Sequence, residues 1–198
     1  MSQITLTSDP LGTATTGTLE FENPAFYLTG ALSQRGVVLA DQFMLQQAAY
    51  TLTSQTAAQK LFNVTANGAV TLVAGTYEFE CVFSLSSMSS SSGSFGFALG
   101  GAATFTQYWW SSANKATLAT AAGGQVTYNT AANTAIATAT TATVGFARCG
   151  GIIVVSAGGT VIPQVSLGVA AAAAVGIGSY FKIRALGSAA VTSSGNWS

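Results

Sequence analysis

Apolar and polar residues alternate along most of this chain. In the run from Gly75 to Leu85, Tyr77, Phe79, Cys81, Phe83 and Leu85 fall on one face, and Glu78, Glu80, Val82 and Ser84 on the other. A period of two over that length predicts a half-buried β-strand. The same period recurs in Phe95–Leu99, with Gly96 and Ala98 between the large residues, and in Tyr180–Ala185, where Tyr180, Lys182 and Arg184 oppose Phe181, Ile183 and Ala185. It recurs again in Val161–Leu167, where Pro163 suggests an edge or the start of a strand. Ile152–Val155 is β-branched throughout, as in a strand buried on both faces. Turn dipeptides divide these runs: Asn67-Gly68, Ser92-Gly93, Gly100-Gly101, Gly123-Gly124, Gly150-Gly151, Gly158-Gly159 and Gly187-Ser188. Helical signal is confined to Gln42–Tyr50, with room for a turn or two, and to the short alanine run 170–174. Short strands at this spacing predict an all-β antiparallel sandwich or jelly roll.

The first 45 residues differ from the rest. They hold Pro10 and Pro24 and five charged residues, Asp9, Glu20, Glu22, Arg35 and Asp41. Leu19–Thr29 reads as a small hairpin turning at Asn23-Pro24. Residues 1–45 are therefore expected to form an extended attachment arm, and residues 46–198 the compact domain. Phe21, Phe26, Tyr27 and Arg35 are the arm's candidate attachment residues. The segment 114–143 is almost entirely Ala, Thr, Asn and Gly, which suits Thr-rich strands and long loops equally.

Composition sharpens this picture mainly by exclusion. The chain has 198 residues, six Lys or Arg, six Asp or Glu and no His, so only 6% are charged. Ordinary domains carry about 25%. Six scattered cations cannot build the basic patch that nucleic-acid binding requires. Histidine catalysis is impossible, and 49% hydrophobic residues are enough for a core. The longest apolar stretch, Val165–Phe181, falls just short of the ~20 residues of a spanning helix. Glycines interrupt it and no basic cluster flanks it, so no membrane partner is expected and two buried strands joined through small residues are. Cys81 and Cys149 are too few for a disulfide scaffold; two buried thiols or one bridge both fit the sequence. The opening residues lack a basic n-region and an apolar h-region, so no signal peptide is expected.

Several motifs occur together in a fixed order. They are Tyr50–Asn63 followed by Asn67–Glu80, which contains Gly75-Thr-Tyr77; then Leu85-Ser-Ser-Met-Ser89, Gly93-Ser-Phe-Gly-Phe-Ala-Leu99, Gly159-Thr-Val-Ile-Pro-Gln-Val-Ser-Leu167, Gly178-Ser-Tyr-Phe-Lys-Ile183 and Gly195-Asn-Trp-Ser198. This series resembles C1q/TNF-like jelly-roll modules, and more closely the modules carried on bacteriophage virion proteins, over residues 46–198. Ser33–Val38 resembles the lead-in of such proteins. The resemblance implies a jelly roll that forms homotrimers. It also implies that the strand bearing Gly75-Thr-Tyr pairs with the last long strand. Glu78 and Glu80 would then face Lys182 and Arg184 as cross-strand ion pairs, near a subunit boundary. Lys60, Lys115 and Arg148 are left for everything else.

The chemistry-bearing residues give little to an enzyme. Glu20/Glu22 and Glu78/Glu80 are the only close carboxylate pairs, and strand spacing puts both members of each pair on one face of one strand. Salt bridging or exposure is favoured there over glycoside hydrolysis. Without His or an acidic cluster no metal site is expected, nor any cofactor. In Tyr108-Trp109-Trp110, three consecutive aromatics cannot all point one way. Either they fill the core or a trimer seam, which is favoured, or one stacks on a sugar. Trp197 is read as a core or seam anchor. The sequons at Asn63 and Asn196 are what chance gives in a Ser/Thr-rich chain.

The expected function is a structural protein of the phage virion: a trimeric capsid decoration, or cement, protein assembled in the host cytoplasm. It would be held on the outer capsid surface by its arm, with the major capsid protein as partner. That choice rests on one module and an arm without the long shaft on which tail fibres carry such modules. The alternatives are a receptor-binding tail-fibre tip that contacts tail proteins and host-surface glycan, and a bacterial C1q-like adhesion module.

Overall fold

The computed structural model describes residues 18–22, 25–29, 35–38, 41–91, 93–115, 125–129, 134–137 and 143–190. Among them there is no helix, and every ladder is antiparallel. β1 (Leu19–Glu22), β2 (Ala25–Thr29) and β3 (Arg35–Val38) form a three-stranded sheet. An eight-stranded sheet contains β4 (Asp41–Leu45), β5 (Tyr50–Thr51), β8 (Gly75–Ser86), β10 (Thr104–Lys115), β11 (Gln125–Asn129), β13 (Gly145–Ala157), β15 (Ala174–Val175) and β16 (Tyr180–Gly187). A five-stranded sheet contains β6 (Gln59–Lys60), β7 (Val70–Leu72), β9 (Phe95–Gly101), β12 (Thr134–Ala137) and β14 (Gly159–Leu167).

The alternation in the sequence decides which side chains lie between the two larger sheets. From β8 come Tyr77, Phe79, Cys81, Phe83 and Leu85; from β16, Phe181 and Ile183; from β13, Cys149, Ile153 and Val155. The five-stranded sheet answers with Phe95, Phe97 and Leu99 of β9 and Val161, Val165 and Leu167 of β14. Rings of the two layers interdigitate: Phe79 stacks on Phe97 at 6.2 Å between centroids, and Phe83 meets Phe95 edge-on at 5.6 Å. Such offset and edge-to-face geometries follow the ring quadrupole. The molecule is a β-sandwich around one aromatic-rich core.

Several expectations need correction. Gln42–Tyr50 forms no helical turn. Asp41–Leu45 is instead an edge strand whose register on β16 sets Met44 opposite Phe181. Only Met44 of these five is buried, and tertiary pairing overrides local helical propensity. Asp41–Leu45 thereby belongs to the eight-stranded sheet. Pro163 is neither at an edge nor at a strand start; it sits inside β14, opposite Leu99 of β9. Its carbonyl accepts from the Leu61 N–H at 2.9 Å, so its own missing N–H faces the same flank. On that flank pairing is interrupted between β7, which ends its register at Val161, and β6, which begins at Gln164. The apolar stretch 165–181 holds the end of β14, β15 and the start of β16, but its connections carry Val169 and Ile177 into solvent. No helix among the described residues is long and apolar enough to cross a membrane.

β1 and β2 pair from Leu19↔Leu28 to Glu22↔Ala25, which leaves residues 23–24, themselves outside the described residues, to join them. One face of β2 is covered: Ala25, Tyr27 and Thr29 are buried, and β2 lies against β16. The other face carries Leu19, Phe21, Phe26 and Leu28, with the rings of Phe21 and Phe26 4.8 Å apart.

Candidate functional site

The outward face of the eight-stranded sheet gathers most of the chain's describable ionic chemistry. Parity on β8 turns Glu78 and Glu80 away from the core. On one flank β16 sets Arg184 opposite Glu78 and Lys182 opposite Glu80. On the other flank β13 sets Ile152 opposite Glu78, Gly150 opposite Glu80 and Arg148 opposite Val82. β4 adds Asp41 opposite Arg184 and Phe43 opposite Lys182.

The Arg184 guanidinium donates to Glu78 Oε2 from Nε at 2.8 Å and from Nη2 at 2.5 Å. Glu80 has a different set of partners. The Tyr180 hydroxyl donates to its Oε1, and Arg148 Nη2 donates to its Oε2 at 2.9 Å. Lys182 acts on Glu80 through its charge. The Tyr180 hydrogen bond holds the Glu80 carboxyl below the usual carboxylate range, against the opposing effect of burial, with Arg148 and then Lys182 helping. The same bond pushes the Tyr180 phenol up. Arg148 is well exposed, so solvent screens its pair with Glu80 and the pair adds little to stability. These contacts orient side chains more than they stabilise the fold.

Gly150 and Gly151 leave a depression of about 280 Å³ between these groups, bounded by Glu78, Glu80, Ile152, Lys182 and Arg184. Large apolar side chains surround it on the same face. Phe43 is 55% exposed, Trp109 40%, Leu45 38% and Phe146 37%. The Phe43 ring stacks on Tyr180 at 5.4 Å.

The aromatic triplet divides between the two faces. Tyr108 and Trp110 point inward: Trp110 is 1% exposed and meets Phe97 edge-on at 5.3 Å, and burial pushes the Tyr108 phenol up. Trp109 points outward, opposite Ile152. Of the arm residues, Phe21 and Phe26 lie on the open face of the small sheet. Tyr27 is buried on the opposite face. Arg35 opens β3 opposite Thr29, but its side chain, like all of Trp197, lies outside the described residues.

Five participants in this face were missed in the sequence: Arg148, Tyr180, Phe146, Phe43 and Leu45. Arg148 is not a spare cation, since it reaches Glu80 across the β8–β13 pair. Tyr180 is the principal partner of Glu80, and Phe146 joins the exposed apolar set. A signal for Phe146 and Arg148 existed: in Phe146-Ala-Arg148-Cys-Gly150 the small residues Ala147 and Cys149 fall at inward positions and the large ones outward, which inverts the pattern of β8.

Both carboxylates are engaged by cations on a shallow surface, an arrangement suited to orienting a contact rather than to proton transfer. Among the described residues no three His, Cys, Asp or Glu side chains converge to hold a metal ion. The chain matches no protein-family model and no curated protein sequence.

Proposed function

We propose that this chain is a structural protein of a bacteriophage virion. It is a jelly-roll module that assembles as a homotrimer and decorates the capsid, attached through the segment ahead of its sandwich. Strand order supports the jelly roll: β8, β9 and β10 alternate between the two large sheets, as do β13, β14 and β16, while β8 lies between β13 and β16 and β14 beside β9. The virion assignment rests on the motif series in the sequence.

The observation that carries the assembly is the outward face described above. Five strands, β10, β13, β8, β16 and β4, spaced about 4.8 Å apart and between 5 and 13 residues long, cover roughly 800 Å². A stable interface needs about 800 Å² per partner. Exposed aromatics gathered with arginines on one face are the side chains that interfaces favour. The open face of the small sheet, with Leu19, Phe21, Phe26 and Leu28, is the attachment surface in this reading.

Light scattering on the purified chain is the direct test. Three copies of 19.9 kDa give roughly 60 kDa. The double variant Phe43→Ser/Trp109→Ser should fall to single-chain mass with its unfolding midpoint little changed, because both rings are exposed in the isolated chain. A single-chain mass for the unmodified protein at micromolar concentration overturns the trimer. Cryo-EM of the virion tests location: copies on the capsid are expected. Copies on the tail alone would replace this reading with the receptor-binding one, in which Trp109 beside the Gly150-Gly151 depression serves as the stacking surface for a host glycan.

A further inference from the structure

Cys81 of β8 and Cys149 of β13 are directly opposite one another in the antiparallel register. Both side chains point into the sandwich, both are 0% exposed, and both are free thiols. Directly opposed residues of antiparallel strands have Cα atoms about 4.5–5.5 Å apart, inside the ~4.4–6.8 Å that a disulfide spans. Their Cβ atoms need approach by only about 1 Å at most. Two glycines, Gly150 and Gly151, follow Cys149 in the strand that must adjust.

We propose that Cys81 and Cys149 form a latent cross-strand disulfide site, closed by a small disulfide oxidant while the chain folds and shielded once the sandwich has shut. The exchange with oxidised glutathione runs in two steps. A deprotonated cysteine attacks one sulfur of the oxidant, forming a mixed disulfide and releasing one glutathione thiolate. The second cysteine, deprotonated, attacks the protein-side sulfur of that mixed disulfide, forming the Cys81–Cys149 bond and releasing the second glutathione thiolate. The protons from the two cysteines end on the two glutathione thiols. Two protein thiols are oxidised and one glutathione disulfide is reduced to two thiols.

In the closed sandwich neither step can run. The oxidant has no path to the sulfurs, and burial pushes both thiols well above their usual range, which leaves little thiolate. The redox state of the pair is therefore set by the medium in which the chain folds and persists afterwards. The bond closes a loop of about 70 residues. On the chain-entropy relation this shifts the folding equilibrium by up to roughly 10³-fold.

The test refolds the full chain from denaturant with reduced and oxidised glutathione, then unfolds it with an alkylating agent. The expected product has lost two hydrogen masses, takes up no alkyl group, and yields a peptide joined through Cys81 and Cys149. It should also unfold at higher urea than the reduced chain. Two alkylated cysteines, or glutathione adducts alone, would overturn the proposal, as would an oxidised chain no more stable than the reduced one. A second arm adds oxidised glutathione to the reduced, folded protein. Oxidation should be slow and should accelerate with sub-denaturing urea. A fast, urea-independent reaction would show that the closed sandwich does not shield the pair.

Discussion

Gly151→Ala is the most pointed test of the packing between β10 and β13. A Cβ added at Gly151 would lie 2.6 Å from Trp110 Cα, with the Trp109 carbonyl oxygen nearer still. Ordinary contact begins near 3.4 Å, so β10 would have to retreat by about 1 Å. The obstructing atoms are backbone, and the retreating strand carries Trp110 into the core. Overpacking of this kind costs about 1–3 kcal/mol, and the upper end applies where no side chain can swing away. The neighbouring substitution is the control. At Gly150 the nearest atom to an added Cβ is the Phe79 carbonyl oxygen, at 3.1 Å. A shift of a few tenths of an ångström relieves that contact, and the lower chain entropy of alanine offsets part of the cost. With a urea slope of about 1–3 kcal/mol per molar, Gly151→Ala should lower the unfolding midpoint by roughly 1 M, and Gly150→Ala should leave it nearly unchanged. Trp109 and Trp110 report the transition by fluorescence. If Gly151→Ala costs less than about 0.5 kcal/mol, or no more than Gly150→Ala, the inferred closeness of β10 and β13 is wrong.

Phe97→Ala should cost about 3–5 kcal/mol in the same assay, because the ring is fully buried among Phe79, Phe83 and Trp110. A loss under about 1 kcal/mol would mean that this part of the core is loosely packed. Glu80 sets an acid limb. Its carboxyl is lowered in the fold by Tyr180 and Arg148, so its contribution is complete above the ordinary carboxylate value and is lost as pH falls through the lowered one. Glu80→Gln should flatten the decline of the thermal midpoint below about pH 4.5, by less than about 1 kcal/mol given the exposure of the cluster. An unchanged acid limb would show that the Tyr180–Glu80 bond does not persist in solution.

The fold class was legible because it depends on a period of two, and β8, β9 and β16 carry that period without interruption. The placement of Glu78/Glu80 opposite Lys182/Arg184 came from the resemblance to C1q/TNF-like modules, since spacing within either strand does not say which strand lies beside it. What stayed hidden depends on which strand lies alongside. Gln42–Tyr50 could be read as helical only because β16, 135 residues on from Leu45 to Tyr180, was not in view. Pro163 could be read as an edge signal only because nothing local reveals that β6 and β7 leave a gap beside it. Arg148 lies two strand spacings from β16, and its reach to Glu80 is a diagonal contact that no local pattern encodes. The outward aromatics were illegible for a related reason. Phe146 looks like a core residue until the small inward Ala147 and Cys149 show which face of β13 meets the core.

The position of β8 at the centre of its sheet has a consequence for synthesis. It is bordered by β13 on one side and β16 on the other, and some 100 residues separate its end from the end of β16. At about 5–20 residues per second, a ribosome needs roughly 5–20 s to deliver that second neighbour. Until then a strand whose inward face is wholly apolar from Tyr77 to Leu85 waits with an open edge and its aromatics uncovered. Closure of that edge has to wait for β16, and a nascent chain arrested before Tyr180 presents chaperones and sibling chains with an unpaired strand template.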